Sequence, residues 1–162
     1  MNTREKILSQ EALAARLGEE RRRGRRIVLA NGCFDLLHCG HVRYLEGARK
    51  EGDVLVVAVN SDASERQGKG EGRPVLAAAA RAELVAAMAA VDYVVVFEET
   101  DVGLLLERLR PNVHAKGTDY TIESVPERAV AQRLGIRIAI VGDPKRHSSA
   151  DLIERIRNAT DA

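Results

Sequence analysis

Residues 27–45 read IVLANGCFDLLHCGHVRYL. The apolar run from Ile27 to Ala30 passes directly into a polar turn, and an amphipathic segment follows from Val42 onward. The same alternation of short apolar runs and amphipathic segments continues along the chain as far as Val141. It is typical of a parallel sheet that is covered by helices on both faces. We therefore predict a doubly wound α/β fold with a mainly parallel, five-stranded sheet.

The 162 residues suffice for one domain, which we expect to comprise an N-terminal helix and a core of about residues 26–158. The predicted strands are Ile27–Ala30, Val54–Val59, Tyr93–Phe97, Val113–Lys116 and Arg137–Val141. The predicted helices are residues 9–23, 42–52, 77–90, 102–109 and 125–134, and a closing helix that includes residues 152–156. Glycine and basic residues alternate in the segment 68–74, the basic loop, which is interpreted either as a lid or as a mobile surface linker.

Composition excludes several classes of function. Twenty-five Lys and Arg residues oppose 24 Asp and Glu residues, and only 3% of the chain is aromatic. Neither a strong field nor a set of stacking side chains is available to hold a nucleic acid. Two cysteines are too few for a disulfide framework, and no apolar run is long enough to span a bilayer. We expect a soluble, cytoplasmic protein with no nucleic-acid or membrane partner.

The turn after the first predicted strand has the features of an anion site. Ligands of open parallel sheets bind beyond the carboxyl ends of the strands. His38 and His41 are three positions apart at the start of a helix, beside unpaired backbone amides, and Gly40 between them allows a phosphate to approach closely. The histidines could instead be helix caps. Zinc is a further alternative, because Cys33, His38, Cys39 and His41 lie within nine residues, although their crowding argues against it.

Further polar residues follow the other predicted strands at the same edge. Lys116 and Asp119 are candidates for a ligand cleft or for a solvated strand end and a turn. Ser148 and Ser149 could cap the last helix, bind phosphate, or do both. The basic residues expected to converge there are Lys69, Arg73, Lys116, Lys145 and Arg146. We predict a local excess of positive charge that suits a polyphosphate and a polar second substrate.

The segment Gly32 to His41, with its His38-x-Gly40-His41 signature, resembles nucleotidyltransferases of the cytidylyltransferase type, which have a Rossmann-like fold. More narrowly, about residues 5–158 resemble the adenylyltransferase domain of ADP-heptose synthase. The shared segments include Val42-Arg43-Tyr44-Leu45, Asn60-Ser61-Asp62-Ala63-Ser64, Arg73-Pro74, Arg81-Ala82-Glu83-Leu84, Val91-Asp92-Tyr93-Val94-Val95 and Lys116-Gly117-x-Asp119-Tyr120-Thr121.

The resemblance implies transfer of AMP from ATP to a heptose 1-phosphate, with Mg²⁺ carried by the nucleotide phosphates rather than by protein side chains. It implies catalytic roles for His38, His41 and Lys69. The residues that it places at the nucleotide and its phosphates are Asn31, Gly32, Cys33, Phe34, Gly40, Arg81, Lys116, Gly117, Asp119, Ser148 and Ser149. Those that it places on the acceptor side are Asp35, Asn60, Asp62, Arg73 and Tyr120. Lys69 and Arg73 would belong to a closing loop.

The chain departs from the family pattern at three positions. Family members commonly carry Gly at 118, a small apolar residue at 114 and a hydroxyl residue at 150, whereas this chain has Thr118, His114 and Ala150. The alternatives are therefore a cytidylyltransferase that uses CTP with glycerol 3-phosphate or a similar acceptor, and a nucleotide-binding regulatory module without turnover. The resemblance further implies a homodimer and a separate sugar kinase that supplies the 1-phosphate.

Overall fold

The structure, a computed structural model, describes residues 2–70, 72–144 and 148–160. Lys145, Arg146 and His147, two of which were predicted to lie at the functional edge, are outside the described residues. The strands are β1 (Ile27–Gly32), β2 (Val54–Asn60), β3 (Tyr93–Phe97), β4 (Val113–Gly117) and β5 (Arg137–Val141). The helices are α1 (Gln10–Arg22), α2 (Cys39–Arg49), α3 (Asp62–Lys69), α4 (Ala78–Ala86), α5 (Gly103–Leu109), α6 (Arg128–Leu134) and α7 (Ser149–Thr160). Short 3₁₀ helices cover Thr3–Lys6 and Ile122–Ser124.

All five strands are parallel, in the order β3-β2-β1-β4-β5. The chain builds the sheet outward from β1 to β3 and then returns to place β4 on the other side of β1. The predicted Rossmann-like α/β fold is thus confirmed. Reversal of the strand order between β1 and β4 opens a crevice at their carboxyl ends, where doubly wound proteins bind their ligands.

Two apolar layers hold the helices against the sheet. On one face, Leu45 of α2 and Val85 of α4 pack with Val57 of β2 and other β-branched residues. On the opposite face, Leu13 and Leu17 of α1 pack with Leu105, Leu106 and Leu109 of α5. These side chains are almost completely buried, and burial on both faces explains why the strand sequences are continuously apolar rather than alternating.

Helix α2 lies unusually close to the end of β5. A Cβ atom at Gly47 would lie only 3.0 Å from the backbone nitrogen of Gly142, so glycine is required for this approach. The contact fixes the direction of α2, and its N-terminus, which carries the two histidines, therefore stays at the crevice between β1 and β4.

The main difference from the predicted elements is α3. The glycines of the basic loop predicted irregular structure, but residues 62–69 are helical. Ser61 caps this helix by accepting a hydrogen bond from the Ser64 N–H, and acidic side chains in the first turn oppose Lys69 in the last. Cap and charges favour a helix here despite Gly68. Lys69 is therefore the last residue of a helix rather than part of a loop.

Other helix boundaries shift by a few residues. Helix α4 ends at Ala86, four residues before the predicted end, and α6 begins at Arg128 after a turn that contains Pro126. Helix α7 extends from Ser149 to Thr160 and includes the predicted segment 152–156, and it begins at the serines where its start was expected. Among the helices of the described residues, none has the length and apolar character that a membrane span requires.

Candidate active site

A cavity of about 590 Å³ opens at the carboxyl ends of β1 and β4. Its lining includes Asn31 and Gly32 from β1, Lys116 and Gly117 from β4, and both histidines at the start of α2. Most of the predicted site residues thus share one cavity. The others that line it are Cys33, Phe34, Asp35, Gly40, Asn60, Lys69, Arg73, Asp119, Tyr120, Ser148 and Ser149.

The segment 33–41, here called the histidine turn, reaches α2 through two strained residues. Phe34 and Leu36 adopt positive φ angles of 54° and 52°, which cost free energy for residues with a side chain. Phe34 is nearly fully buried, and its ring lies 5.3 Å from that of His41. Packing of this ring compensates the strain and fixes the position of the histidine beside it.

Both histidines form hydrogen bonds with the backbone at the start of α2. The Nδ1 atom of His38 accepts from the Gly40 N–H at 3.1 Å, and the Nδ1 atom of His41 accepts from the His38 N–H at 3.3 Å. A ring whose Nδ1 accepts a hydrogen bond carries its proton on Nε2 when it is neutral. The helix-cap interpretation and the anion-site interpretation are therefore compatible, because the cap leaves an Nε2–H donor on each ring.

His41 is held in its neutral form. The two rings stack with their centroids 3.9 Å apart. Burial, the neighbouring His38 and the positive charge of Lys69 lower the pKa of His41 to about 4. At neutral pH His41 therefore offers a hydrogen bond rather than a positive charge to an anion.

Asp35 connects the histidine turn to the segment after α3. Its buried carboxylate accepts hydrogen bonds from Arg73 Nε at 2.9 Å, from the Val75 N–H at 2.8 Å and from the Leu76 N–H at 3.0 Å. Burial by itself would raise the pKa of Asp35, but these donors lower it overall. Ser149 Oγ donates to the Asp35 carbonyl oxygen. The Asp35 carboxylate thus has hydrogen-bond partners within the protein, and its ion pair with Arg73 holds this arginine against the histidine turn.

Arg81 and Asp62 are not brought to the cavity lining. Arg81 is fully buried, and its guanidinium donates to the carbonyl oxygens of Leu76 and Cys33 and to Asp62 Oδ1. Asp62 also accepts from the Ala78 N–H at 2.8 Å. The guanidinium of Arg81 forms its hydrogen bonds with Asp62 and with backbone carbonyl oxygens, so the expectation that Arg81 reaches the phosphates is corrected. Arg81 instead supports the wall behind the histidine turn.

The predicted local excess of positive charge is absent from the described residues. The basic side chains of the cavity lining are Arg43, Lys69, Arg73 and Lys116, and the acidic ones are Asp35, Glu65, Asp101, Asp119, Glu127 and Asp143. Each basic side chain forms an ion pair, as with Lys69 and Glu65 at 2.9 Å and Lys116 and Glu127 at 3.5 Å. Sequence spacing did not reveal three of these pairs, since their acids come from other segments, whereas Lys69 and Glu65 are four residues apart on α3.

The zinc alternative receives no support from the described residues. In the part of the chain covered by the structure, no three His, Cys, Asp or Glu side chains are arranged to hold a metal ion. Burial and a hydrogen bond to Glu65 raise the pKa of Cys33 to about 12, so its thiol stays protonated. Zinc would require the thiolate form and unoccupied imidazole nitrogens.

Two contributors were missed by the sequence analysis as site residues. Tyr44 Oη donates to the Ala115 carbonyl oxygen at 2.9 Å and accepts from the Asn31 N–H at 3.3 Å, which joins the ends of β4 and β1. Glu127 is almost fully buried and opposes Lys116. Tyr44 could have been found, because it lies three residues after His41 on the same helix face.

Comparison with known proteins agrees with this geometry. The family model described as cytidylyltransferase-like matches residues 29–155, which include the histidine turn and all five strands from Leu29 onward. The chain belongs to the cytidylyltransferase-like family. It is therefore a nucleotidyltransferase, and the histidine turn lies within the matched region.

Relatives of this nucleotidyltransferase are similar over nearly the whole chain. The bifunctional protein HldE of Geotalea uraniireducens is 47% identical over 155 residues, covering 96% of this chain and 32% of the relative. That of Pelobacter propionicus is 46% identical over 151 residues, covering 93% of this chain and 31% of the relative. The chain spans about a third of the length of these curated relatives.

Solved structures share the fold. The lipopolysaccharide core biosynthesis protein from Thermoplasma volcanium is 26% identical with a TM-score of 0.65, covering 75% of this chain and 100% of that chain. The pantothenate synthetase from Thermus thermophilus is 18% identical with a TM-score of 0.62, covering 88% of this chain and 63% of that chain, and its likeness concerns the fold alone.

Proposed function

We propose that this nucleotidyltransferase transfers AMP from ATP to a heptose 1-phosphate and releases pyrophosphate. The observation that carries the proposal is the histidine turn, which presents two stacked imidazoles and a helix N-terminus to a cavity at the β1–β4 crevice. The choice of AMP and heptose is supported by the motif resemblance to the adenylyltransferase domain of ADP-heptose synthase. Identity of 46–47% with the HldE relatives supports the same subfamily.

The transfer needs no covalent intermediate on the protein. An oxygen of the sugar 1-phosphate attacks the α-phosphorus, and the bond from that phosphorus to the bridging oxygen of the β-phosphate breaks. The bonding electrons leave with pyrophosphate. A phosphate monoester is already largely deprotonated at neutral pH, so the attacking oxygen requires no general base. A neutral His41 agrees with this chemistry.

Positioning and hydrogen bonding are what this chain's residues contribute. The Nε2–H groups of His38 and His41 would donate to phosphate oxygens as negative charge shifts toward the leaving group. Lys69 is half-exposed and pairs with Glu65, so it can exchange this partner for a phosphate oxygen. Asn60 at the end of β2 and Tyr120 after β4 also line the cavity and would contact the acceptor.

Mg²⁺ fits this donor set as an ion carried by the nucleotide. Three carboxylates of the cavity, those of Asp35, Glu65 and Glu127, already form ion pairs. The protein residues nearest the ion would therefore be those that bind the phosphates, above all His38 and His41. When bound, Mg²⁺ supplies charge neutralisation on the phosphates and the leaving pyrophosphate.

A grid of substrates tests the proposal. The purified chain is mixed with Mg²⁺, one of ATP, CTP, GTP or UTP, and one of heptose 1-phosphate, glucose 1-phosphate or glycerol 3-phosphate. Pyrophosphate release is followed, and the nucleotide-sugar is identified by mass spectrometry. Fastest release with ATP and heptose 1-phosphate supports the proposal.

Two results would contradict the proposal. Preference for CTP with glycerol 3-phosphate would establish the cytidylyltransferase alternative. Thermal stabilisation by nucleotides without any product would establish a regulatory module. Reactions without an acceptor give the background rate of ATP hydrolysis.

A further inference from the structure

His114 is a fully buried polar residue within β4, beneath the cavity. Its Nε2 atom lies 3.0 Å from Asn31 Oδ1. Its Nδ1 atom is buried and has no hydrogen-bond partner among the described residues. Burying an imidazole with an unsatisfied nitrogen costs free energy, whereas a Leu of similar size would fill the same space without an unsatisfied atom. The single hydrogen bond to Asn31 is therefore the feature that needs a functional explanation.

The same oxygen of Asn31 has a second donor. Lys116 Nζ lies 3.3 Å from Asn31 Oδ1. An ammonium group can only donate, so the side of the Asn31 carboxamide that faces Lys116 must be the oxygen. The NH₂ group consequently points to the other side of the planar amide.

That other side is the cavity. Asn31 is only partly buried and belongs to the cavity lining. Within the described residues, its Nδ2 atom has no hydrogen-bond partner in the protein. Two N–H donors are thus presented to a ligand, two residues before the histidine turn.

The register of the sheet brings the three residues together. Leu29 of β1 pairs with His114 of β4, and both Asn31 and Lys116 follow two positions later in their strands. Side chains two positions apart point to the same face of a sheet, so Asn31, His114 and Lys116 share one face. His114 lies one step below the other two and does not belong to the cavity lining.

The tautomer of His114 suits this arrangement. Burial and the positive charge of Lys116 lower the pKa of His114 to about 3, so its ring is neutral at physiological pH. A neutral ring has one proton, and placing it on Nε2 satisfies Asn31 Oδ1. The buried Nδ1 atom then remains as an acceptor without a proton.

We propose that His114 is a positioning residue that, together with Lys116, locks the Asn31 carboxamide so that its NH₂ group donates to a phosphate oxygen of the bound nucleotide. The inference rests on the proposed nucleotidyl transfer. Phosphate oxygens are the acceptors expected there, because Asn31 lies two residues before the histidine turn. A locked amide loses no rotational freedom on binding and cannot turn its oxygen toward the negative ligand.

Replacement of His114 separates this role from a merely structural one. His114→Leu removes the donor and also the unsatisfied Nδ1 atom. We expect an unchanged or higher melting temperature, together with a three- to tenfold fall in kcat/KM, which is the contribution of a neutral hydrogen bond. His114→Gln places an N–H at the position of Nε2 and is expected to restore kcat/KM to within about twofold.

A control on the same strand measures the effect of lost packing. Val113→Ala truncates a buried side chain on the opposite face of β4. We expect a lower melting temperature and an unchanged kcat/KM. Equal losses of kcat/KM in His114→Leu and His114→Gln would overturn the proposal, because both variants then act through packing.

A double-mutant cycle with Asn31→Ala decides whether His114 acts through Asn31. We expect His114→Leu to lower kcat/KM by less than twofold once Asn31 is Ala. An undiminished loss in that background would overturn the proposal.

The cycle remains informative if the proposed substrates are wrong. If the substrate grid selects another nucleotide and acceptor, the cycle is measured with that pair. If no pair is turned over, the proposed transfer has failed, and the cycle is measured as the affinity for Mg²⁺-ATP by calorimetry. Coupling between the two substitutions in that affinity supports the positioning role, and independent effects overturn it.

Discussion

The N-termini of α2 and α7 face the same cavity, but they use their polar side chains differently. At α2, His38 and His41 accept backbone N–H groups through Nδ1 and retain a proton on Nε2. At α7, Ser149 donates to the Asp35 carbonyl oxygen, and Ser148 accepts from the Asp151 N–H. An imidazole has two separate nitrogens, so it can cap a helix and still donate to a ligand, whereas the one proton of the Ser149 hydroxyl is already donated to the Asp35 carbonyl oxygen. We infer that α2 binds phosphate and that Ser149 anchors α7 to the histidine turn.

The largest effect on kcat is expected from variants of His41 that remove the hydrogen-bonding function of one or both ring nitrogens. His41→Asn keeps an acceptor near the position of Nδ1 but lacks the Nε2–H donor, whereas His41→Ala loses both. We expect both variants to reduce kcat by 10²–10³, about 2.7–4 kcal/mol of transition-state stabilisation. Steady-state pyrophosphate release measures this loss.

Stability provides the control for the His41 variants. The unfolding free energy should fall by about 1 kcal/mol in His41→Ala, because the helix cap is lost, and by less in His41→Asn. Near-normal kcat in His41→Asn would show that the Nε2–H donor is dispensable. The contrast between α2 and α7 would then be wrong.

A second, smaller effect is expected at Asp35, where the two helix ends are connected. Asp35→Ala leaves Arg73 and two backbone N–H groups without their buried acceptor. We expect a loss of about 3 kcal/mol in the free energy of unfolding, measured by urea denaturation. Hydrogen exchange should quicken at Val75 and Leu76.

Arg73→Ala is the matched control for Asp35→Ala. It removes the guanidinium donor but preserves the two backbone hydrogen bonds to the carboxylate, and we expect a smaller loss of stability. Unchanged exchange at Val75 and Leu76 in Asp35→Ala would show that Asp35 does not anchor this segment.

Much of this architecture could be predicted from local sequence patterns. Continuous apolar runs located all five strands, because strands buried on both faces exclude polar residues. The histidine turn was also predictable, since His38, Gly40 and His41 act within one helical turn. Segments with weak or conflicting local signals were less predictable. Helix α3 was not predicted, because Gly68 and Gly70 are typical of a loop, although Ser61 is a suitable N-cap.

Contacts between distant segments could not be predicted from spacing. The pairing of Lys116 with Glu127, and the bonds from Asn31 to His114, depend on strand order and register. Arg81 illustrates the same difficulty, because an arginine on a predicted helix gives no sign of being fully buried. The expected excess of positive charge is not found among the described residues, because acids from other segments, such as Glu127 beside Lys116, pair with the basic side chains. Lys145 and Arg146, which the expectation included, lie outside the described residues.

The smallest effect is expected at the start of α7. Ser149→Ala removes the hydroxyl that donates to the Asp35 carbonyl oxygen, and Ser148→Ala removes the cap of the helix. Each should cost about 1 kcal/mol of stability, and kcat for pyrophosphate release should change by less than about threefold. Ser149→Thr retains a hydroxyl and serves as the control. A loss of kcat in Ser149→Ala as large as that in His41→Asn would show that Ser149 gives up its bond to Asp35 and binds phosphate during the reaction. Both helix ends would then act on the nucleotide, and the anchoring role inferred for α7 would be confined to the ligand-free protein.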